Sequence, residues 1–267
     1  MMSPEAVAAA ANALDQAERT RVQIGLLSLQ HPGMDMADAY AVQSAWVQRK
    51  LGDGRRIVGR KIGLTSKAMQ SALNIDIPDS GVLFHDMLFK NGGTVPKGRF
   101  IQPRIEAELA FVMKAPLAGP GVTPQDVIRA TDYVQPALEI LDTRILRVDP
   151  ETRKTRTVFD TIADNAANAG IVLGGERRRP DDIDLRWAGA IVYRDGEVEE
   201  TGLGAGVLDD PALSMAWLAN RLATYGDRIE AGEIVLSGSF VRPIEAPSGC
   251  FIRADYGPLG QLTLSFE

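Results

Sequence analysis

Glu106 and Glu108 alternate along an apolar run, Ile105-Glu106-Ala107-Glu108-Leu109-Ala110-Phe111-Val112, and Glu139 interrupts a second one, Pro136-Ala137-Leu138-Glu139-Ile140-Leu141. Residues two apart on a strand share a face, so Glu106 and Glu108 can converge on one point, and a neighbouring strand can bring Glu139 to it. Without a cation the three would repel: at an effective dielectric of about 20, each pair roughly 4 Å apart costs on the order of 4 kcal/mol, which a divalent ion reverses. The trio reads as a magnesium site. The same alternation also marks the wet face of a half-buried strand. Glu139 favours the metal, because its neighbours leave it no polar face.

A second group lies in Ile57-Val58-Gly59-Arg60-Lys61-Ile62-Gly63-Leu64-Thr65-Ser66, where Lys61 stands between glycines that let a backbone approach a ligand closely. Its alternative is a surface amine with a buried stem. Asp79, in Ile77-Pro78-Asp79-Ser80-Gly81, is by itself a turn aspartate. Beside Lys61 it would complete a proton relay, the carboxylate orienting the amine. Thr65 or Ser66 is placed to cap a helix containing Met69 and Leu73, leaving N–H groups free for an anion. Ser239, in Ser237-Gly238-Ser239-Phe240 after a strand, is either a pocket donor or a turn residue.

Around these residues the pattern divides at about residue 55. Residues 1–55 form an N-terminal helical region: Ser3 caps a helix with Pro4 at its first position that runs on towards Leu27, and Asp35 or Asp38 starts a second that Gly52 and Gly54 stop. Residues 56–267 form a β-rich core acting as a single functional unit. Short strands are predicted over 56–63, 81–84, 106–113, 133–141, 188–194, 197–201, 233–238, 251–256 and 260–266, with helices opening at Thr123-Pro124 and Asp210-Pro211. Asp195-Gly196 is a hairpin turn of type I′. Gly202-Leu203-Gly204-Ala205-Gly206 resembles a phosphate loop only superficially, since no lysine follows it.

The 267 residues are 45% hydrophobic and 24% charged, with a net charge of -6, a balance that argues against nucleic acid as a partner. No apolar run approaches the roughly 18 residues needed to span a membrane. One cysteine, Cys250, and no apparent export signal point to the cytoplasm. Cys250 lies in an alternating strand and reads as packing. With only His31 and His85, a histidine-rich zinc site is excluded, so acid-base work falls to lysine and carboxylates.

Lys61-Ile62-Gly63-Leu64-Thr65-Ser66, Pro78-Asp79-Ser80-Gly81, Arg104-Ile105-Glu106-Ala107-Glu108, Asp132-Tyr133-Val134 with Pro136-Ala137-Leu138-Glu139, and Ala163-Asp164-Asn165-Ala166 together resemble the hydratase and decarboxylase branch of the fumarylacetoacetate hydrolase superfamily, over nearly the whole chain. The resemblance implies an α+β fold, a mixed β-roll or barrel-like core with an N-terminal helical region, and a homo-oligomer. It implies that Glu106, Glu108 and Glu139 hold Mg²⁺, or Mn²⁺, and that Lys61 and Asp79 are the acid-base pair. Decarboxylases of the branch generally lack the aspartate at the position of Asp79, so its presence favours hydration. The superfamily's C–C hydrolases use a histidine-carboxylate pair, and His31 has no acidic partner in an obvious motif.

The stretches 149–152 and 158–169 carry the resemblance towards hydration of a small-molecule 2-oxo-heptenedioate, through its 2-hydroxyhepta-2,4-dienedioate tautomer, to 4-hydroxy-2-oxoheptane-1,7-dioate in aromatic catabolism. The alternatives are decarboxylation of the 4-oxalocrotonate type, hydration of 2-hydroxypenta-2,4-dienoate, and a non-catalytic companion subunit. A second substrate carboxylate calls for a distal cation, for which Arg60, Lys67, Arg104, Arg144 and Arg242 are candidates.

Overall fold

Capping chemistry sets the two long helices of the computed structural model, which describes residues 1–67, 70–71 and 77–267. Ser3 Oγ accepts from Ala6 N at the start of α1 (Pro4–Thr20), and Asp35 forms a capping box with Asp38 at the start of α3 (Met36–Gly52); a short α2 (Leu27–Gln30) lies between them. α1 does not continue towards Leu27. It stops at Thr20, with Arg21 in the left-handed region at φ 61°. Ile24 instead exchanges backbone hydrogen bonds with Arg144 and Leu146, so tertiary pairing overrides local helical preference. Further helices are α4 (Pro124–Ala130), α5 (Val158–Ala163) and α6 (Pro211–Ala223), of which α4 and α6 begin at the expected caps Thr123 and Asp210. The helix expected around Met69 and Leu73 falls partly outside the described residues. No helix among the described residues is long and apolar enough to cross a membrane.

The strands, in chain order, are β1 (Ile57–Gly63), β2 (Asp79–Phe84), β3 (Leu88–Lys90), β4 (Gly93–Val95), β5 (Arg104–Met113), β6 (Thr131–Leu141), β7 (Asn168–Leu173), β8 (Gly189–Arg194), β9 (Glu197–Leu203), β10 (Ile234–Ser239), β11 (Ile244–Glu245), β12 (Phe251–Asp255) and β13 (Gln261–Phe266). They form an eight-stranded sheet in the order β2-β1-β10-β5-β6-β7-β3, with β11 also on β5, and a five-stranded sheet in the order β4-β13-β12-β8-β9. This is the mixed α+β architecture expected, since β1 runs parallel to β10 while β5 is antiparallel to both its neighbours. Asp195 and Gly196, at φ 54° and 94°, make the β8–β9 hairpin turn.

Side-chain parity along β5 distributes the two cores. Ile105, Ala107, Leu109 and Phe111 join the apolar cluster between the sheets, whereas Ala110 faces the cluster formed with α1, α3 and α5. Glu106 and Glu108 share the parity of Ala110, so they lie on the helix-covered face of the large sheet. Ala137 and Glu139 share that face on β6, and Leu236 and Val82 extend it on β10 and β2.

One segment beside the glutamates strings three left-handed residues together. Asn165, Ala166 and Ala167 all sit in the left-handed region, at φ 53°, 51° and 59°, which costs about 1–2 kcal/mol per non-glycine residue. Two clamps hold them. Asn165 closes on the outer edge of β2, donating from Nδ2 to Val82 O at 3.0 Å and accepting at Oδ1 from Val82 N at 2.8 Å. Gly81 admits it, because a Cβ there would lie 2.6 Å from Asn165 O. Arg144, fully buried, bridges both ends of the turn by bonding the Asp164 carboxylate and the Asn168 carbonyl.

The helical region carries a buried charge cluster of its own. Asp15 contacts Lys50 at 2.5 Å, Arg19 at 2.8 Å and Arg49 at 3.0 Å. Burial pushes the Asp15 carboxyl up, but these cations outweigh it and hold it below its ordinary range.

Two stability experiments follow from these arrangements. Asp15→Ala should lower the urea unfolding free energy by about 3 kcal/mol at neutral pH, because Lys50 is left with a weakened partner set. Since the native carboxyl titrates lower than the unfolded one, that advantage should shrink as pH falls below about 4; a pH-independent difference would contradict the ion-pair account. Asn165→Ala should cost about 2–4 kcal/mol by leaving Val82 N–H and C=O unpaired, and a change under about 0.5 kcal/mol would show that the turn does not need its clamp.

Candidate active site

Register brings the three glutamates together. Glu106 on β5 lies directly opposite Glu139 on β6, and Glu108 is the next residue of β5 on the same face. An oxygen from each falls within 4.8 Å of the others. Glu108 and Glu139 are buried, and Glu106 is half-buried. Glu108 Oε2 accepts from Gly238 N at 2.8 Å, and Glu139 Oε1 accepts from Asn168 Nδ2 at 2.7 Å. Gly238 makes its approach at φ 117°, where the β10–β5 register shifts, a conformation that glycine adopts without strain. Glu108 Oε1 and Glu139 Oε2 are buried with no hydrogen-bond partner among the described residues. Burial, and then the neighbouring Glu139, push the Glu106 carboxyl up to about 8 and the Glu108 carboxyl well above its ordinary value.

Lys61 and Asp79 lie around Gly63 beside the trio, and among the described residues the ion-pair partner of Lys61 is Glu139, not Asp79. Lys61 Nζ lies 3.3 Å from Glu139 Oε1 and donates to Ala166 O at 3.2 Å, so the left-handed turn supplies the carbonyl that fixes the amine. Asp79 pairs across the strands with Gly63, two residues from Lys61 and on its face. A Cβ at Gly63 would fall 2.2 Å from Asp79 Oδ1 and 3.0 Å from Lys61 Nζ, so the bare Cα makes room for both groups. Burial works against the charge on Lys61. The carboxylates around it, Glu139 first and Asp79 next, outweigh burial and hold its pKa above the ordinary lysine value. Burial raises the Asp79 carboxyl, partly offset by Lys61, and its Oδ1 has no hydrogen-bond partner among the described residues.

These groups open into a cavity of about 410 Å³ that Lys61, Asp79 and Glu106 line together with Thr65 and Ser239. Thr65 is buried against Gly238. Ser239 Oγ donates to Val241 O at 2.7 Å and accepts from Val241 N at 3.2 Å, so its hydroxyl serves the turn that follows β10 as well as facing the cavity. Of the candidate distal cations, Arg104 and Arg242 line the cavity. Arg144 is spent on the 164–168 turn, and Arg60 pairs with Asp227 and Glu233. Lys67 is exposed and is not among the residues lining the cavity.

Arg156 also lines the cavity and was not among the sequence candidates. It follows Arg147, Arg153 and Lys154 in a loop-like stretch, where nothing in the sequence distinguishes one cation from the next. Gly202 and Gly204 answer to packing: a Cβ on either would fall 2.0 Å or less from the carbonyl oxygen of Phe240 or Leu185. Cys250 is buried, and burial pushes its thiol up to about 11, away from nucleophilic use.

No protein-family model matches the sequence. Among characterised proteins, the chain is 54% identical to a 2-oxo-hept-4-ene-1,7-dioate hydratase from Escherichia coli, with 96% of each chain covered. It is 38% identical to a 2-keto-4-pentenoate hydratase from Paraburkholderia xenovorans LB400, over 100% of this chain and 97% of the other. Among solved structures, 4-oxalocrotonate decarboxylase from Pseudomonas putida G7, complexed with magnesium and adipate, superposes with a TM-score of 0.94 at 37% identity, covering 100% of this chain and 99% of that one. Fumarylpyruvate hydrolase from Pseudomonas aeruginosa, at 13% identity and a TM-score of 0.58 over 79% of this chain and 88% of that one, shares the fold alone. Sequence identity across nearly its full length, with the fold and the convergence of the five acidic and basic residues, places the chain in the hydratase and decarboxylase branch of the fumarylacetoacetate hydrolase superfamily.

Proposed function

We propose that this chain is a metal-dependent hydro-lyase that adds water to 2-hydroxyhepta-2,4-dienedioate, the tautomer of 2-oxo-hept-4-ene-1,7-dioate, giving 4-hydroxy-2-oxoheptane-1,7-dioate. The observation that carries the reading is the convergence of Glu106, Glu108 and Glu139 beside Lys61 and Asp79, at a cavity that Glu106, Lys61 and Asp79 line. The 54% identity to the Escherichia coli hydratase supports the substrate class.

The donor set fits a hard divalent cation. Four carboxylates face one ammonium, the trio supplies oxygen only, and two of its oxygens are buried without hydrogen-bond partners among the described residues, which suits Mg²⁺, with Mn²⁺ as an alternative. Glu106, Glu108 and Glu139 would hold it, Gly238 N and Asn168 Nδ2 orienting two of them. Bound there, the ion would supply Lewis-acid polarisation of the substrate's 2-oxygen and adjoining carboxylate.

The chain's own residues handle the protons. Lys61, held charged, is a donor fixed by Ala166 O; Asp79, with its pKa raised and one oxygen without a partner among the described residues, is the group that accepts and returns a proton. The pair takes a proton from the 2-hydroxyl and delivers one to C5, giving the 2-oxo-3-enoate. It then takes one from the water that bonds to C4 and delivers one to C3, and the balance is the addition of one water. Thr65 and Ser239 line the substrate's path. The helices of residues 1–55 and the core of 56–267 work as one unit, supported by the apolar cluster they share. Assembly with further copies of the chain is supported by Ile191, Val198 and Phe251, exposed on the outer face of the small sheet. A cytoplasmic setting suits a chain whose single cysteine is a buried thiol.

Decarboxylation is the second reading, favoured by the likeness to the Pseudomonas putida decarboxylase. Hydration predicts that ¹⁸O from labelled water appears at C4 with no CO₂ in the headspace; stoichiometric CO₂ would assign the chain to the other reaction. Protein stripped of divalent metal should not consume the dienoate and should recover with Mg²⁺, whereas metal-independent turnover would defeat the trio's role. Lys61→Met and Asp79→Asn should each lower kcat about 10²- to 10⁴-fold while Mg²⁺ still raises the melting temperature. Glu139→Gln should lose that thermal response as well.

A further inference from the structure

We propose that Arg156, with Arg104 beside it, forms an anion-binding end of the cavity that selects substrates carrying a second carboxylate. The proposal rests on the hydratase reading above and adds what decides between a seven-carbon dicarboxylate and a five-carbon monocarboxylate.

Arg104, Glu106 and Glu108 occupy successive positions on one face of β5, and each step of two residues advances about 6.8 Å. The strand therefore sets a cation one step beyond the carboxylate trio, inside the same cavity. The terminal carbons of a seven-carbon chain are six bonds of about 1.5 Å apart, roughly 7–8 Å when extended, which matches that step. A five-carbon monocarboxylate has no group to offer there. Leu141, Val158 and Phe240 line the same cavity and give the intervening methylenes an apolar wall.

Arg156 is the cation best placed to complete this end. Its side chain donates from Nη1 to Thr143 Oγ1 at 2.8 Å, and among the described residues it makes no ion pair. Burial works against its own charge and outweighs Asp164, its strongest opposing neighbour; Arg104 adds to the burden, and Asp160 and Asp79 offset part of it. An arriving carboxylate relieves that imbalance. The other cations are committed: Arg242 has a side chain 76% exposed and bonds Glu200, and Arg144 is locked to Asp164. Arg104 bonds Glu245, whose side chain is 70% exposed, a rim pair that a substrate carboxylate can replace at little cost. The cavity is thus polarised from the glutamates to the arginines.

The test compares 2-hydroxyhepta-2,4-dienedioate with 2-hydroxypenta-2,4-dienoate on the Mg²⁺-loaded full chain. Arg156→Ala should reduce the kcat/KM ratio of the C7 over the C5 substrate about 10- to 100-fold, chiefly through KM for the C7 substrate, as expected for the loss of a charge-assisted pair. Arg156→Lys should restore part of the ratio, and Arg104→Ala should lower it less. An unaltered ratio in Arg156→Ala, or equal losses on both substrates in Arg156→Ala and Arg156→Lys, would overturn the proposal. Calorimetry with pimelate and heptanoate, saturated seven-carbon acids with two and one carboxylates, separates this from the hydratase reading. Wild type should prefer pimelate and Arg156→Ala should lose the preference, even if neither dienoate is hydrated; wild type binding both alike would reject the subsite while leaving hydration to be judged by turnover.

Discussion

A concentration of buried negative charge at one cross-strand pair governs this molecule. Glu106 faces Glu139 across β5 and β6, Glu108 follows one step along, and Asp79 closes in from β2. Left to themselves these groups resist joint ionisation, as the raised Glu106 and Glu108 carboxyls record. The local structure is an answer to that repulsion: Lys61 sits against Glu139, the bulge at Gly238 turns an N–H onto Glu108, and Asn168 donates to Glu139. Three buried oxygens, on Asp79, Glu108 and Glu139, still have no donor among the described residues. A divalent cation is the remaining partner of the right charge and hardness.

The scaffold separates stability from chemistry by strand parity. One face of the large sheet packs into the sandwich core, where Ile105, Ala107, Leu109 and Phe111 are fully buried. The opposite face carries the carboxylates, and the N-terminal helices cover the apolar surface around them. Three consecutive left-handed residues, 165–167, lie against the site, and the middle one gives its carbonyl to Lys61. Three left-handed residues persist there because Asn165 caps the β2 edge and Arg144 spans the turn. The cost of the turn is met by groups that also fix the amine, so weakening the clamp would affect both stability and alignment.

Much of this was legible in the sequence, for identifiable reasons. Alternation along 104–113 announced β5 and its parity, and an apolar run broken only by Glu139 announced that carboxylate as unusual. Ser3, Asp35, Thr123 and Asp210 announced helix starts because capping is local chemistry. What escaped was non-local. β7 is buried on nearly every residue and so shows no alternation, and β3, β4 and β11 are too short to show a period. The end of α1 is set by pairing with residues more than 100 positions away. Asn165 and Arg156 were invisible as site residues for the same reason: an asparagine in an alanine-rich stretch, or an arginine among other cations, gains meaning only from what the fold sets opposite it.

The relatives carry names for two different reactions, hydration and decarboxylation, and a decarboxylase shares this fold with a TM-score of 0.94. Neither the sheet nor a carboxylate trio can then decide between them, because both reactions develop electron density at the same 2-oxygen. The choice belongs to the groups that place protons. Hydration needs an acceptor for the water's proton and donors for carbon, all within a site from which bulk water is largely excluded. In the proposed reading Asp79, 2% exposed and with one oxygen lacking a partner among the described residues, would meet the first need, and Lys61, 3% exposed and hemmed by carboxylates, the second. On the same reading, the residue that bears most on the reaction is therefore Asp79, which β2 brings against Gly63 on the face it shares with Lys61.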